Sequence, residues 1–184
     1  MVATQSNMTP LGTKAPSFQL KDARTKKIVK FSLNTKGKGF LVLFICNHCP
    51  YVIHLKNHFP LLFNEWLQQG LKIYAISAND SVKYPSDSPE KMETEANKLG
   101  FHFPYLFDET QVVARAYKAA CTPDFFLYND KQELFYRGQY DNSRPDGKIK
   151  VSGRDIKNAV NLLFLGECPP KNQIPSLGCN IKWK

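Results

Sequence analysis

No stretch of this 184-residue chain approaches the roughly 20 consecutive apolar residues that a membrane-spanning helix needs. Residues 1–16 are polar and interrupted by Pro10 and Pro16, without the apolar h-region of a secretory signal. Internal repeats and low-complexity tracts are also missing. Basic side chains outnumber acidic ones, 25 to 16, for a net charge of +9. The lysines are scattered and form no basic helix, so a nucleic-acid surface is not expected. Together these absences predict one domain in the reducing cytoplasm, with neither a membrane nor a nucleic acid as partner. Cysteine is sparse and odd in number, at five. Five thiols in a reducing compartment suit redox or metal chemistry better than a structural disulfide framework.

What is present is organised around one junction. Phe40-Leu41-Val42-Leu43-Phe44-Ile45 is a short, fully apolar run and reads as a buried strand. Beyond Pro50, residues Val52, Leu55, Phe59, Leu62, Phe63, Trp66 and Leu67 recur at three- and four-residue steps, which predicts one helix face running to about Gln69, with Gly70 as its stop. Between them stands Cys46-Asn47-His48-Cys49. A C-x-x-C at a strand-to-helix junction is a redox motif with a mechanism, because unpaired N–H groups at a helix start stabilise a thiolate. Pro50 fits the first turn, where its missing N–H costs little. On this reading Cys46, at the outer edge of the helix start, attacks. Cys49, one turn in, resolves the mixed disulfide, and His48 lends positive charge to the thiolate.

The remaining chain predicts an α/β domain. Residues 1–12 look frayed. Short strands are expected at 18–22 and 28–33, a loop at 34–39, a strand at 71–77 and a polar loop at 79–89. Ser88 caps a helix that Gly100 ends. A strand at 103–107 and a short helix at 109–117 follow. Strands at 124–128 and 133–140 are joined by a hairpin signal, and a helix at 154–165 ends at Gly166. The expected division is a flexible end at 1–13, the folded domain at 14–166 and a tail at 167–184. That tail should pack on the domain, because Ile174, Leu177, Ile181 and Trp183 are a heavy apolar load for a disordered end.

Thr122-Pro123 is the second element, a break between a helical segment and a strand. Cys46-x-x-Cys49 followed by Thr122-Pro123-Asp124-Phe125-Phe126-Leu127 resembles the thioredoxin superfamily, and in particular its peroxiredoxin-like, AhpC/TSA-related branch. The stretches around Tyr136-Arg137-Gly138-Gln139, Asp141-Asn142-Ser143-Arg144-Pro145 and the end, Gly178-Cys179-Asn180-Ile181-Lys182-Trp183-Lys184, carry the same resemblance, over about residues 14–184. It implies a thioredoxin-like fold, with a mixed central sheet and helices on both faces. It implies a cis bond before Pro123, against the reactive sulfur, with the backbone of Thr122 able to pair with a substrate strand. It also implies dithiol–disulfide exchange with a protein or small-molecule thiol or disulfide, a thiol electron donor, and no cofactor. Laid on the peroxiredoxin motif P-x-x-x-T-x-x-C, Cys49 takes the peroxidatic place, Cys46 replaces the threonine and Val42 the proline. The arginine that polarises peroxide would fall near Thr122-Pro123, where none stands.

Three functions therefore stand: a thiol–disulfide oxidoreductase using Cys46 and Cys49, a thiol peroxidase with Cys49 forming the sulfenic acid, and a metal-binding thiol module using Cys46 and Cys49 with Cys121 or His48. The first is preferred, and no metal is expected. Cys121 and Cys179 are candidate extra redox thiols, the latter as a resolving cysteine folded back from the tail. Cys168 gives no signal. His54 and His58 are read as surface residues and Arg137 as one half of an ion pair.

Overall fold

The computed structural model describes residues 3–32 and 37–184. The expected strand end at Leu33 and loop start at 34–36 lie outside the described residues. In chain order the elements are β1 (Ala3–Gln5), β2 (Phe18–Asp22), β3 (Ile28–Phe31), β4 (Phe40–Phe44), α1 (Pro50–Leu55), α2 (Phe59–Gln68), β5 (Lys72–Ser77), α3 (Pro89–Leu99), β6 (Tyr105–Phe107), α4 (Val112–Ala116), β7 (Cys121–Thr122), β8 (Asp124–Tyr128), β9 (Leu134–Gly138), α5 (Arg154–Leu165) and β10 (Leu177–Asn180). No helix among the described residues is long and apolar enough to cross a membrane.

Seven strands form one sheet in the order β3-β2-β6-β5-β4-β8-β9. The apolar run β4 lies inside it, parallel to β5 and antiparallel to β8. All five of its residues are buried because both faces are covered. Side chains alternate along a strand, so Leu41 and Leu43 join one core while Phe40, Val42 and Phe44 join the other. The first core packs against α1, α2, α3 and α5; the second packs against α4. The sheet is mixed, with helices on both faces, as the sequence implies. In the first core Phe59 stacks on Phe63 and meets Phe125 and Tyr140 edge-on. Each such fully buried aromatic ring contributes about 1.5–3 kcal/mol.

Two expectations need correction. The helix predicted as one piece to Gln69 is two, α1 and α2, with a turn between them. Pro60 is the cause. It has no N–H to give to the Lys56 carbonyl, and its ring crowds that carbonyl. The chain turns tightly, His58 N–H bonding Leu55 O, and restarts with Pro60 in the first turn of α2. The frayed end predicted over 1–12 instead contains β1. It pairs antiparallel with β10, which pairs with β7, in a second, three-stranded sheet. The polar pattern of Ala3-Thr4-Gln5 hides this, since the strand is made by its partner rather than by its own apolar content. The tail returns to the domain through β10, and Ile181 is buried in the second core.

Candidate active site

The C-x-x-C follows β4 directly. Ile45 N–H still bonds the neighbouring strand at Ile76 O (2.9 Å), and there the sheet register ends. Asn47 then fixes the bend. Its main-chain N–H donates to Asp87 Oδ1 (2.8 Å), its side-chain amide to Ser86 O (2.8 Å), and its Oδ1 accepts from the Tyr105 hydroxyl (3.2 Å). Pro50 sets the first helical position, so the N-cap is Cys49, with extended backbone angles, and Cys49 O accepts from Ile53 N–H (2.9 Å). Cys46 lies three residues before this N-cap. It does not occupy the helix edge that the sequence assigned to it.

The Thr122–Pro123 peptide bond is cis and lies against both cysteines. Thr122 Oγ1 is 3.4 Å from Cys46 Sγ, and Thr122 O is 3.0 Å from Cys49 Sγ. Cys179 Sγ stands 3.0 Å from the Cys49 sulfur. All five cysteines are thiols. Cys46, Cys49 and Cys179 are 1%, 0% and 3% exposed, so the three sulfurs are sealed from solvent, and Cys49 interacts with both of the others.

Their environments push them apart. Cys49 is lowered to about 5, first by the hydrogen bond from Cys46, against burial, and then by Cys179, the Thr122 side chain and the Val52 N–H. Cys46 is driven well above the usual thiol range by the bond it gives to Cys49, by burial and by the negative charge of Asp87. Cys179 is pushed up to about 12 by burial and by Cys49. Cys46 and Cys49 therefore titrate as a pair, and the Thr122 carbonyl, which can only accept, takes the S–H of Cys49 when that sulfur holds a proton.

His48 Nδ1 lies 2.7 Å from Asp87 Oδ2, and its ring stacks on Tyr84. The imidazole is thus held by Asp87, near the Cys46 sulfur. Asp87 is a residue the sequence reading missed: it is one acidic side chain among several in a polar loop, and no spacing marks it. Asp87 is completely buried, and it also accepts from the Asn79 amide (2.8 Å). Among the described residues, Cys46, His48 and Asp87 gather within 4.8 Å of one another. The Asp87 oxygens already serve three donors, so this cluster is a closed hydrogen-bond network rather than an open ligand set. It is also not the set that the sequence put forward, in which Cys121 or His48 joined both cysteines.

Cys121 is buried, its thiol gives a long bond to Pro123 O (3.5 Å), and burial raises it strongly. Cys168 is exposed. His54 and His58 serve the loop after β9, meeting Ser143 Oγ (2.9 Å) and the Tyr140 hydroxyl (2.6 Å). Arg137 meets Asp124 at 3.1 Å, both side chains fully buried, with its guanidinium 3.7 Å from the centre of the Phe126 ring.

Residues 11–137 match the AhpC/TSA family along most of the chain. This chain belongs to the AhpC/TSA family. Among curated proteins, this AhpC/TSA protein is 28% identical over 124 residues to the thiol-disulfide oxidoreductase ResA of Halalkalibacterium halodurans. The match spans 67% of this chain and 65% of the length of that relative. Among solved structures it superposes on an uncharacterized conserved protein from Geobacillus kaustophilus with a TM-score of 0.96 and 45% identity, covering 100% of this chain and 97% of that one. The thioredoxin domain of a thiol-disulfide oxidoreductase from Bacteroides vulgatus aligns with a TM-score of 0.63 at 17% identity, over 84% of this chain and 97% of that one. That likeness shows the fold, which is thioredoxin-like. Within it, this AhpC/TSA chain places its two motif cysteines and its cis-proline in one contact group.

Proposed function

We propose that the protein is a thiol–disulfide oxidoreductase in which Cys46 and Cys49 cycle between dithiol and disulfide. The observation that carries this reading is the contact group: both motif cysteines lie against the Thr122–Pro123 turn, Cys46 Sγ 3.4 Å from Thr122 Oγ1 and Cys49 Sγ 3.0 Å from Thr122 O. The bond from Cys46 lowers Cys49 and raises Cys46. The thiolate is the attacking species in exchange, so on this reading Cys49 acts first, an order that differs from the one the sequence predicts. Cys49 attacks one sulfur of a substrate disulfide, that S–S bond breaks, and the other substrate sulfur leaves. Cys46 gives up its proton and attacks Cys49 Sγ, and the second substrate sulfur leaves with that proton. The substrate gains two electrons, the protein keeps a Cys46–Cys49 disulfide, and an external thiol donor resets it. The ResA relatives support this class of reaction. Sulfur chemistry alone suffices, so the reading calls for no cofactor. Substrates are protein or small-molecule disulfides.

The low Cys49 value also favours a second reading, in which the thiolate attacks a peroxide and becomes a sulfenic acid, with Cys46 condensing onto it to release water. The neighbours that lower Cys49 are thiols, a threonine and a main-chain N–H rather than a guanidinium. A peroxidase needs donors fixed on the leaving oxygen. Dithiol exchange is therefore preferred. Titrating the protein through a series of glutathione redox buffers should show two thiols lost and regained together, with the linkage mapped by mass spectrometry to Cys46 and Cys49. Absence of that disulfide across the whole series sinks the first reading. Rapid peroxide consumption that survives in Cys46→Ser selects the second.

A further inference from the structure

We propose that Cys179 is a third exchanging thiol that receives the disulfide from the motif, so that one S–S bond alternates between Cys46–Cys49 and Cys49–Cys179. This deepens the dithiol reading and rests on it. The geometry begins with the sulfurs. Cys49 interacts with Cys46 and also lies with its Sγ 3.0 Å from Cys179 Sγ. That separation requires only a small movement to become a bond.

The position of Cys179 is built, not incidental. Strand β10 is held on both edges: Cys179 pairs with Thr122 on one side and Ala3 on the other. It comes so close to the cis-proline that a side chain on Gly178 would put its Cβ 2.1 Å from Thr122 O and 2.6 Å from the Thr122 carbonyl carbon. Only glycine fits there. Both flanks are tied down. Before the strand, the Ser176 hydroxyl donates to Gly138 O (2.8 Å), and Ser176 O accepts from Ser6 N–H (2.9 Å). After it, Lys182 O accepts from Asp80 N–H and from the Gln111 amide (both 2.9 Å), and Lys182 N–H donates to Asn79 Oδ1 (2.9 Å). Asn79 is the same residue that donates to Asp87, which holds Asn47 and His48. The tail and the motif loop are thus aligned by one hydrogen-bond network.

The step balances within the chain. Starting from a Cys46–Cys49 disulfide, the Cys179 thiolate attacks Cys49 Sγ. The Cys46–Cys49 bond breaks as the Cys49–Cys179 bond forms. Cys46 leaves as a thiolate and takes up the proton that Cys179 released. No electron is gained or lost, and Cys46 is again a thiol.

Oxidation of Cys46→Ser with glutathione disulfide tests this directly. The expected result is loss of two thiols and a linked peptide pair carrying Cys49 and Cys179; adding Gly178→Ala to this variant should remove that linkage. Cys49 held as a glutathione mixed disulfide, with Cys179 still open to alkylation, overturns the proposal. If Cys46→Ser does not fold, wild-type protein oxidised in steps decides. Cys49–Cys179 peptides alongside Cys46–Cys49 support the relay, and Cys46–Cys49 alone at every step overturns it. Cys179→Ser oxidised in the same way probes the parent reading separately, since that reading fails only if Cys46–Cys49 does not form there.

Discussion

At the scale of single residues, the chemistry turns on which sulfur holds the proton. From the sequence, Cys46 and Cys49 are both legible as the pair proposed to exchange, because a C-x-x-C between a buried run and a helical face has few other uses. The order proposed for them is not legible. It depends on Pro50 making Cys49 the N-cap and on a carboxylate, Asp87, that comes from 39 and 40 positions away in the chain to meet His48 and Asn47. Alkylation of the reduced protein should follow one early titration with a midpoint near 5, assigned to Cys49 by peptide mapping. Cys46→Ala removes the donor that lowers Cys49 most, so that midpoint should move upward. An unchanged midpoint, or an early titration that maps to Cys46, contradicts the assignment.

At the scale of elements, what the sequence shows is the strands and helices that carry their own pattern, and what it conceals is those that borrow a partner. The apolar run of β4 and the Ser88-capped α3 are written locally: Ser88 Oγ accepts from Lys91 N–H, and Gly100 closes the helix in the left-handed region. The α1–α2 break was also written locally, in Pro60, but the unbroken three- and four-residue apolar spacing overrides it in a pattern reading. Strand β1 has no such mark. The segment after β5 is another borrowed element, since a single 3₁₀ turn, Pro85–Asp87, delivers Asp87 to the motif bend. Asp87→Ala strands the Asn47 N–H and the Asn79 amide without their acceptor. Leaving buried donors unpaired costs about 1–3 kcal/mol each, so the melting temperature should drop. Loss of the negative charge should also bring the Cys46 titration down, since Asp87 helps to raise it. A variant as stable as the parent, with Cys46 unmoved, would show that this turn does not organise the motif.

At the scale of the whole molecule, the sealed sulfurs couple stability to pH in two opposed ways. Cys49 is held below the ordinary thiol value of 9.0, at about 5, so its stabilising contribution is complete above the unfolded value and disappears as pH falls through about 5. Cys179 is raised to about 12, so its contribution is complete below the unfolded value and disappears as pH rises through about 12. The stability difference between reduced wild type and Cys49→Ala should therefore widen as pH is raised from 5 to 9. Thermal melts of both proteins under reducing conditions across that range give the difference, and a flat or narrowing gap contradicts the sealed-thiolate picture. The three-stranded sheet that carries Cys179 pairs it with Ala3, far from it in the chain. Cys49 and Cys179 are 130 positions apart. During synthesis the motif leaves the ribosome well over a hundred residues before β10, and β1 waits as long for its partner. The nascent chain thus passes through a period in which Cys46 and Cys49 lack this cover, and the emergence of β10 brings that exposure to an end.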